Sequence, residues 1–179
     1  MKGTARSITV SAALTALTVA FLFLGNVFPA GRLAMIAVAS LFVTAAVIEA
    51  GLGSASFVFV GSAVLGTLIL PDKTSALLFA LFFGYYPIVK SLAERIGRTV
   101  LTWAVKLAAF NASLTVVWFI FRALLFQPDY RDWNVIILYA AGNAAFVVYD
   151  IGLTRLIGLY IARISKNIKK DRKRHARDT

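Results

Sequence analysis

Apolar positions dominate the chain in long runs, and the interruptions between the runs are short clusters of charge, Pro and Gly. A bilayer core of about 30 Å takes roughly 20 mainly apolar residues per helix. Cutting at the interruptions predicts six spans: Ser7 to Gly25, Leu33 to Ala50, Leu52 to Leu70, Thr74 to about Arg95, Thr99 to Phe126 and Trp133 to about Ile164. The connections are short. The expectation is therefore an all-α polytopic membrane protein, one six-helix bundle over residues 1–164 with a basic tail over 165–179, and no room for a separate catalytic or nucleotide-binding domain.

Composition agrees with that pattern. Of 179 residues 60% are hydrophobic and 15% charged, and the mean hydropathy of +0.81 lies far from that of ordinary soluble domains. A start resembling a signal peptide, with Lys2 and Arg6 before an apolar run, is read as the first span instead, because Phe28 stands where a small residue would precede cleavage after Ala30.

Charge adds orientation. With the N terminus inside, Lys2, Arg6, Lys90, Arg95, Arg98 and the tail are cytoplasmic, and Arg32, Lys73 and Arg131 lie outside; an even number of spans then puts both termini in the cytoplasm of a cell (plasma) membrane protein. The stretch from Arg163 to Thr179 holds eight Lys/Arg against Asp171 and Asp178, a large part of the net charge of +11. Next to a span it is read as a topology anchor attracted to anionic lipid headgroups, with nucleic acid not expected as a partner.

Several chemistries are excluded. Zero Cys removes disulfides, thiolate metal sites and Cys nucleophiles, and the only His, His175, lies in the tail. No Gly-x-x-x-x-Gly-Lys-Ser/Thr motif occurs, since Lys73-Thr74 has no preceding Gly. The run Gly51-Leu-Gly53-Ser54 lacks the context of a dinucleotide loop or nucleophile elbow, and Asp129 and Asp132 alone are a weak magnesium signal. The chain is not expected to be an enzyme, and no cofactor or metal is expected in it.

Three stripes carry candidate function. On the first span Ala12, Ala16 and Ala20 recur every four residues and would let a partner helix approach closely. On the fifth, Asn111, Thr115, Trp118 and Arg122 share one face; on the sixth, Tyr139, Asn143, Phe146 and Asp150 follow the same rhythm. Asn111, Trp118, Arg122, Tyr139 and Asn143 are the candidate binding residues for a small polar or anionic molecule in the outer half, Asn143 roughly 14 Å below the outer end by helical rise. Arg122 is the candidate anion-binding group, with snorkelling to headgroups or pairing with Asp129 or Asp132 as the alternatives. Towards the cytoplasm Glu49, Lys90, Glu94, Lys106, Asp150 and Arg155 nearly cancel in charge and read as a structural ion-pair network rather than a proton pathway. Lys90 and Glu94, one turn apart, would form a weak exposed pair. Gly84-Tyr85-Tyr86-Pro87 predicts a kink in the fourth span.

With six spans, both ends inside, the Ala12/Ala16/Ala20 stripe and the stretch Ala45-Ala46-Val47-Ile48-Glu49-Ala50-Gly51-Leu52-Gly53, the chain resembles the substrate-binding S component of an energy-coupling factor (ECF) transporter. The resemblance implies that the alanine stripe docks on a transmembrane coupling subunit, that separate ATPase subunits hydrolyse ATP, and that outer loops, here Gly25 to Arg32, Pro71 to Lys73 and Gln127 to Asp132, close over a micronutrient. A small membrane enzyme or flippase acting on lipid-linked substrates, or a membrane assembly scaffold, fits the same six spans.

Overall fold

The computed structural model describes the backbone of residues 2–125 and 135–175; Gln127 to Asp132 falls outside the described residues. Among these the fold is all helical, with no strand. The order is α1 (Lys2–Val27), a 3-10 turn (Pro29–Gly31), α2 (Arg32–Ile69), α3 (Lys73–Leu78), a π-helical turn (Phe79–Phe83), α4 (Tyr86–Glu94), α5 (Thr99–Leu125) and α6 (Val135–His175). Met1–Tyr139 and Ala140–Thr179 form two separate compact units.

Five helical stretches are long and apolar enough to cross a membrane: Ser7–Val27, Pro29–Ile69, Lys73–Glu94, Thr99–Ile120 and Val135–Ala162. The expected second and third spans share one of them. At roughly 1.5 Å per residue, a straight helix over Pro29–Ile69 would be about twice the thickness of a bilayer core. It is not straight. Gly51 has φ 84° and ψ 177°, a conformation open essentially to Gly alone, and the chain reverses there.

Contacts with α1 fix the two directions. The place of a Cβ on Gly25 lies 3.4 Å from Met35, so the first arm of α2 starts beside the C-terminal end of α1. The Ser7 and Ser54 hydroxyls are hydrogen-bonded at 2.8 Å at the opposite end of α1. The first arm therefore runs back along α1, and the second arm returns: Gly61 packs on Thr15 at 3.5 Å, Gly66 on Leu22 at 3.4 Å, and the Asn26 amide donates to the Asp72 carbonyl at 3.2 Å.

Small residues make this three-layer contact possible, because in lipid close backbone approach replaces the hydrophobic effect between helices. Leu22 of α1, Ile36, Ala39, Val43 and Ala46 of the first arm, Ala55 and Val58 of the second, Leu70 and Phe79 form the buried core. The arm residues recur every three or four positions, one helical face each. The opposite faces carry bare apolar side chains such as Phe57, 78% exposed, as lipid-facing helices do.

The fourth apolar stretch is not one regular helix. Asp72 caps α3 by accepting from the Thr74 N–H at 2.9 Å, and after two turns the backbone widens into the π-turn. Gly84 N–H reaches back five residues to the Phe79 carbonyl at 2.7 Å, and α4 restarts at Tyr86 with Pro87 in its first turn, where a missing N–H costs nothing. The interruption expected at Gly84-Tyr85-Tyr86-Pro87 is thus present, as a break at Gly84-Tyr85 preceded by the π-turn. A Cβ on Gly84 would lie 2.6 Å from Phe59 and 2.7 Å from Phe79, so the break also brings two aromatic rings onto bare backbone. In α6, residues 165–175 continue the helix of 135–164.

Candidate functional site

On α5 the polar stripe exists as a hydrogen-bond ladder. Asn111 donates to the Leu107 carbonyl at 2.8 Å, and the Thr115 hydroxyl donates to the Asn111 carbonyl at 2.7 Å. With its proton so used, Thr115 accepts from the Tyr139 hydroxyl, 2.6 Å away on α6. The structure therefore joins Tyr139 to the α5 stripe through Thr115. Asn111, Trp118 and Tyr139 are all half-buried. Arg122 lies in α5, but its side chain is outside the described residues; Asn143 belongs to the second unit, half-buried on α6. Two residues nearer the start of α5, the Tyr85 hydroxyl at the break before α4 is hydrogen-bonded to the Ser113 hydroxyl and donates to the Ala109 carbonyl at 3.3 Å. The sequence placed Tyr85 beside a kink and did not single out Ser113, because a Tyr and a Ser 28 residues apart carry no pairing signal.

Lys90, Glu94 and Lys106 of the expected charge network meet. Glu94 Oε1 accepts from Lys90 Nζ and from Lys106 Nζ, both at 2.9 Å, and Lys106 also lies over the Trp103 ring at 5.5 Å. Lys90 is 2% exposed and Lys106 4%, while the Glu94 side chain is 46% exposed, so the Lys90–Glu94 contact expected from its spacing is half of a bridge from α4 to α5 in which two buried lysines share one exposed carboxylate. The buried ammonium groups need such pairing, and the exposure of Glu94 screens the attraction on the acid's side. Glu49 and Arg155 are exposed, and Asp150 is buried on α6 together with Phe146 and Leu153, a single stripe of that helix.

At the end of α1 opposite to Ser7 a second polar cluster ties two turns together. Asn26 accepts from the Ser75 hydroxyl at 2.8 Å and donates to the Asp72 carbonyl; Arg32 Nη1 meets Asp72 Oδ2 at 2.8 Å; Lys73 Nζ donates to the Leu70 carbonyl at 2.7 Å. Hydrogen bonds from Thr74, aided by the Arg32 charge, hold the Asp72 carboxyl below the usual carboxylate range despite some desolvation. The sequence treated Arg32 and Lys73 only as outer positive charges and gave no sign of this tie. No signal in a single sequence pairs Asn26 with Ser75, 49 residues on.

The alanine stripe faces away from all of this. Ala12, Ala16 and Ala20 are exposed, whereas Thr18, Leu22 and Gly25 on the other side of α1 are buried. Among the described residues no group of three or more His, Asp or Glu is placed to hold a metal ion. No protein family, no curated protein and no solved structure matches the chain.

Proposed function

We propose that the chain is a six-pass membrane protein with both termini cytoplasmic, and that it serves as the substrate-binding subunit of an ECF-type uptake transporter. In this reading it captures a small polar or anionic molecule from outside the cell. The observation that carries the reading is the exposure of Ala12, Ala16 and Ala20 on one face of α1 while the opposite face is buried. A small, bare face over the middle turns of the span, between exposed Ile8 and Phe23, is suited to a partner helix at close range. The reversal at Gly51 supports the even count of crossings, since each arm of α2 has about the 18–20 residues one crossing needs.

Capture is assigned to the outer half of α5, where Asn111, Trp118 and Arg122 share a face joined to Tyr139 through Thr115. The tied turns at Asn26, Arg32 and Asp72 form the rim on that side. Energy would come from ATPase subunits supplied by partners, and the membrane would be the cell membrane.

The test is purification of the full chain from its native membrane in mild detergent. Co-isolation of a second membrane protein with two ATPases, lost when Ala16 is replaced by Leu, is the expected result. Isolation of the chain alone, with no ligand among vitamins and other small anions raising its Tm, would overturn the reading in favour of a scaffold or a lipid enzyme.

A further inference from the structure

We propose that α4 has two helical registers and that the π-turn Phe79–Phe83 is the switch between them. A π-turn holds one residue more than an α-turn. Here the surplus is visible in the five-residue step from Gly84 N–H to the Phe79 carbonyl. Transfer of that N–H to the next carbonyl, of Ala80, removes the surplus and advances every residue after it by one place, about 1.5 Å and 100° around the axis.

Both ends of α4 are built to absorb such a step. Upstream, Pro87 has no N–H to give, and the N–H groups of Ile88 and Val89 both turn to the Tyr85 carbonyl, at 3.0 and 3.1 Å. Few main-chain bonds thus tie α4 to the helix before it. Gly84 at the step has no side chain to strike Phe59. Downstream, the turn of residues 95–98 is exposed throughout, and Gly97 takes φ 72° with nothing within 4 Å of its missing Cβ.

The step would exchange the residues that α4 presents to α5. In the register seen here Ala93 is 1% exposed and its carbonyl accepts from the Thr102 hydroxyl at 3.1 Å, while Glu94 takes both lysines. After the step Val89 stands where Lys90 stands now, Leu92 where Ala93 stands, and Ala93 where Glu94 stands. Leu92, now 48% exposed, would face Thr102, and the carboxylate shared by Lys90 and Lys106 would leave its place. The break before α4 is thereby coupled to the ion bridge at the other end of the same helix, where two buried lysines share Glu94, a two-state element with a charge difference between its states. This inference does not depend on the transporter reading.

The chain has no cysteine, so introduced pairs report alone. In the full chain in lipid nanodiscs, Ala93→Cys with Thr102→Cys reports the present register and Leu92→Cys with Thr102→Cys the advanced one. Ser91→Cys with Thr102→Cys is the background that fraying alone would raise. The 93–102 pair should cross-link fastest under mild oxidant, and the 92–102 pair slowly but above the background. Adding Glu94→Gln or Lys106→Met should raise the 92–102 rate about tenfold or more over that background, the weight of one charge-assisted hydrogen bond. Deletion of Leu81, which removes the surplus residue and leaves Gly84 four places after Phe79, should lock the present register and hold the 92–102 rate at background even with Glu94→Gln. A 92–102 rate that stays at background in both charge variants overturns the switch, as does a Leu81 deletion that folds and still lets Glu94→Gln raise the 92–102 rate.

Discussion

Gly84 and Gly51 are constrained for different reasons, and substitution separates the two. At Gly84 the backbone is ordinary, but an Ala methyl would meet Phe59 at 2.6 Å. Gly84→Ala should cost about 1–3 kcal/mol by overpacking, read as a lower Tm in detergent, and shaving Phe59 to Leu in the same chain should restore part of it. At Gly51 there is open space and the penalty is conformational; Gly51→Ala should also cost about 1–3 kcal/mol, with no neighbouring substitution able to relieve it. Asp72 offers a pH test with a defined sign. Because its carboxyl titrates below its ordinary value of 3.8, the stability it contributes is present above that value and disappears as pH falls through the lowered one. Asp72→Asn should therefore lower Tm slightly at neutral pH, and the gap to the unmodified chain should close in acid; the effect is modest because the side chain is 42% exposed. For the proposed site, Arg122→Gln should abolish ligand binding without lowering the Tm of the empty protein, and a lost Tm would make Arg122 structural. The α5 stripe was legible because its residues are three and four apart on one helix. The clusters around Asp72 and Glu94 were not: they join residues from separate turns or helices, and a single sequence holds no record of which helices are neighbours.

At the level of elements, α1 presents two faces with opposite demands. The inner face carries Thr18, Leu22 and Gly25 against the arms of α2, while the outer face carries the three alanines. Ala16→Leu should leave the isolated chain as stable as before, since its added atoms enter no packed contact, and should prevent assembly with a partner. A large fall in Tm of the isolated variant would show instead that this face packs internally. Helix limits were legible to within a few residues for α1 and both arms of α2, because the length of an apolar run is set by the thickness of lipid. What the runs conceal is how a span is built inside. Pro87 announces that a helix must restart, yet it does not say that the turn before it widens, because a π-turn has the same apolar composition as the α-turn it replaces.

For the whole molecule the decisive quantity is the parity of crossings. Reporter fusions after Thr179 and near Met1 should both report the cytoplasm, and single cysteines placed at Ala30 and at Gly53 should react with impermeant reagents from opposite sides. Opposite locations for the two termini would reduce the count to five and overturn the assignment of the Asn26 and Arg32 turns to the outer side. The reversal at Gly51 also bears on how the chain is made. Its two arms are joined by one residue in a left-handed conformation, with no loop between them. In the proposed six-pass arrangement the two arms would enter lipid as a hairpin joined by a turn of one residue. Position 51 is accordingly a poor place for a tag or an inserted domain, whereas the exposed turn of residues 95–98 has the slack to take one.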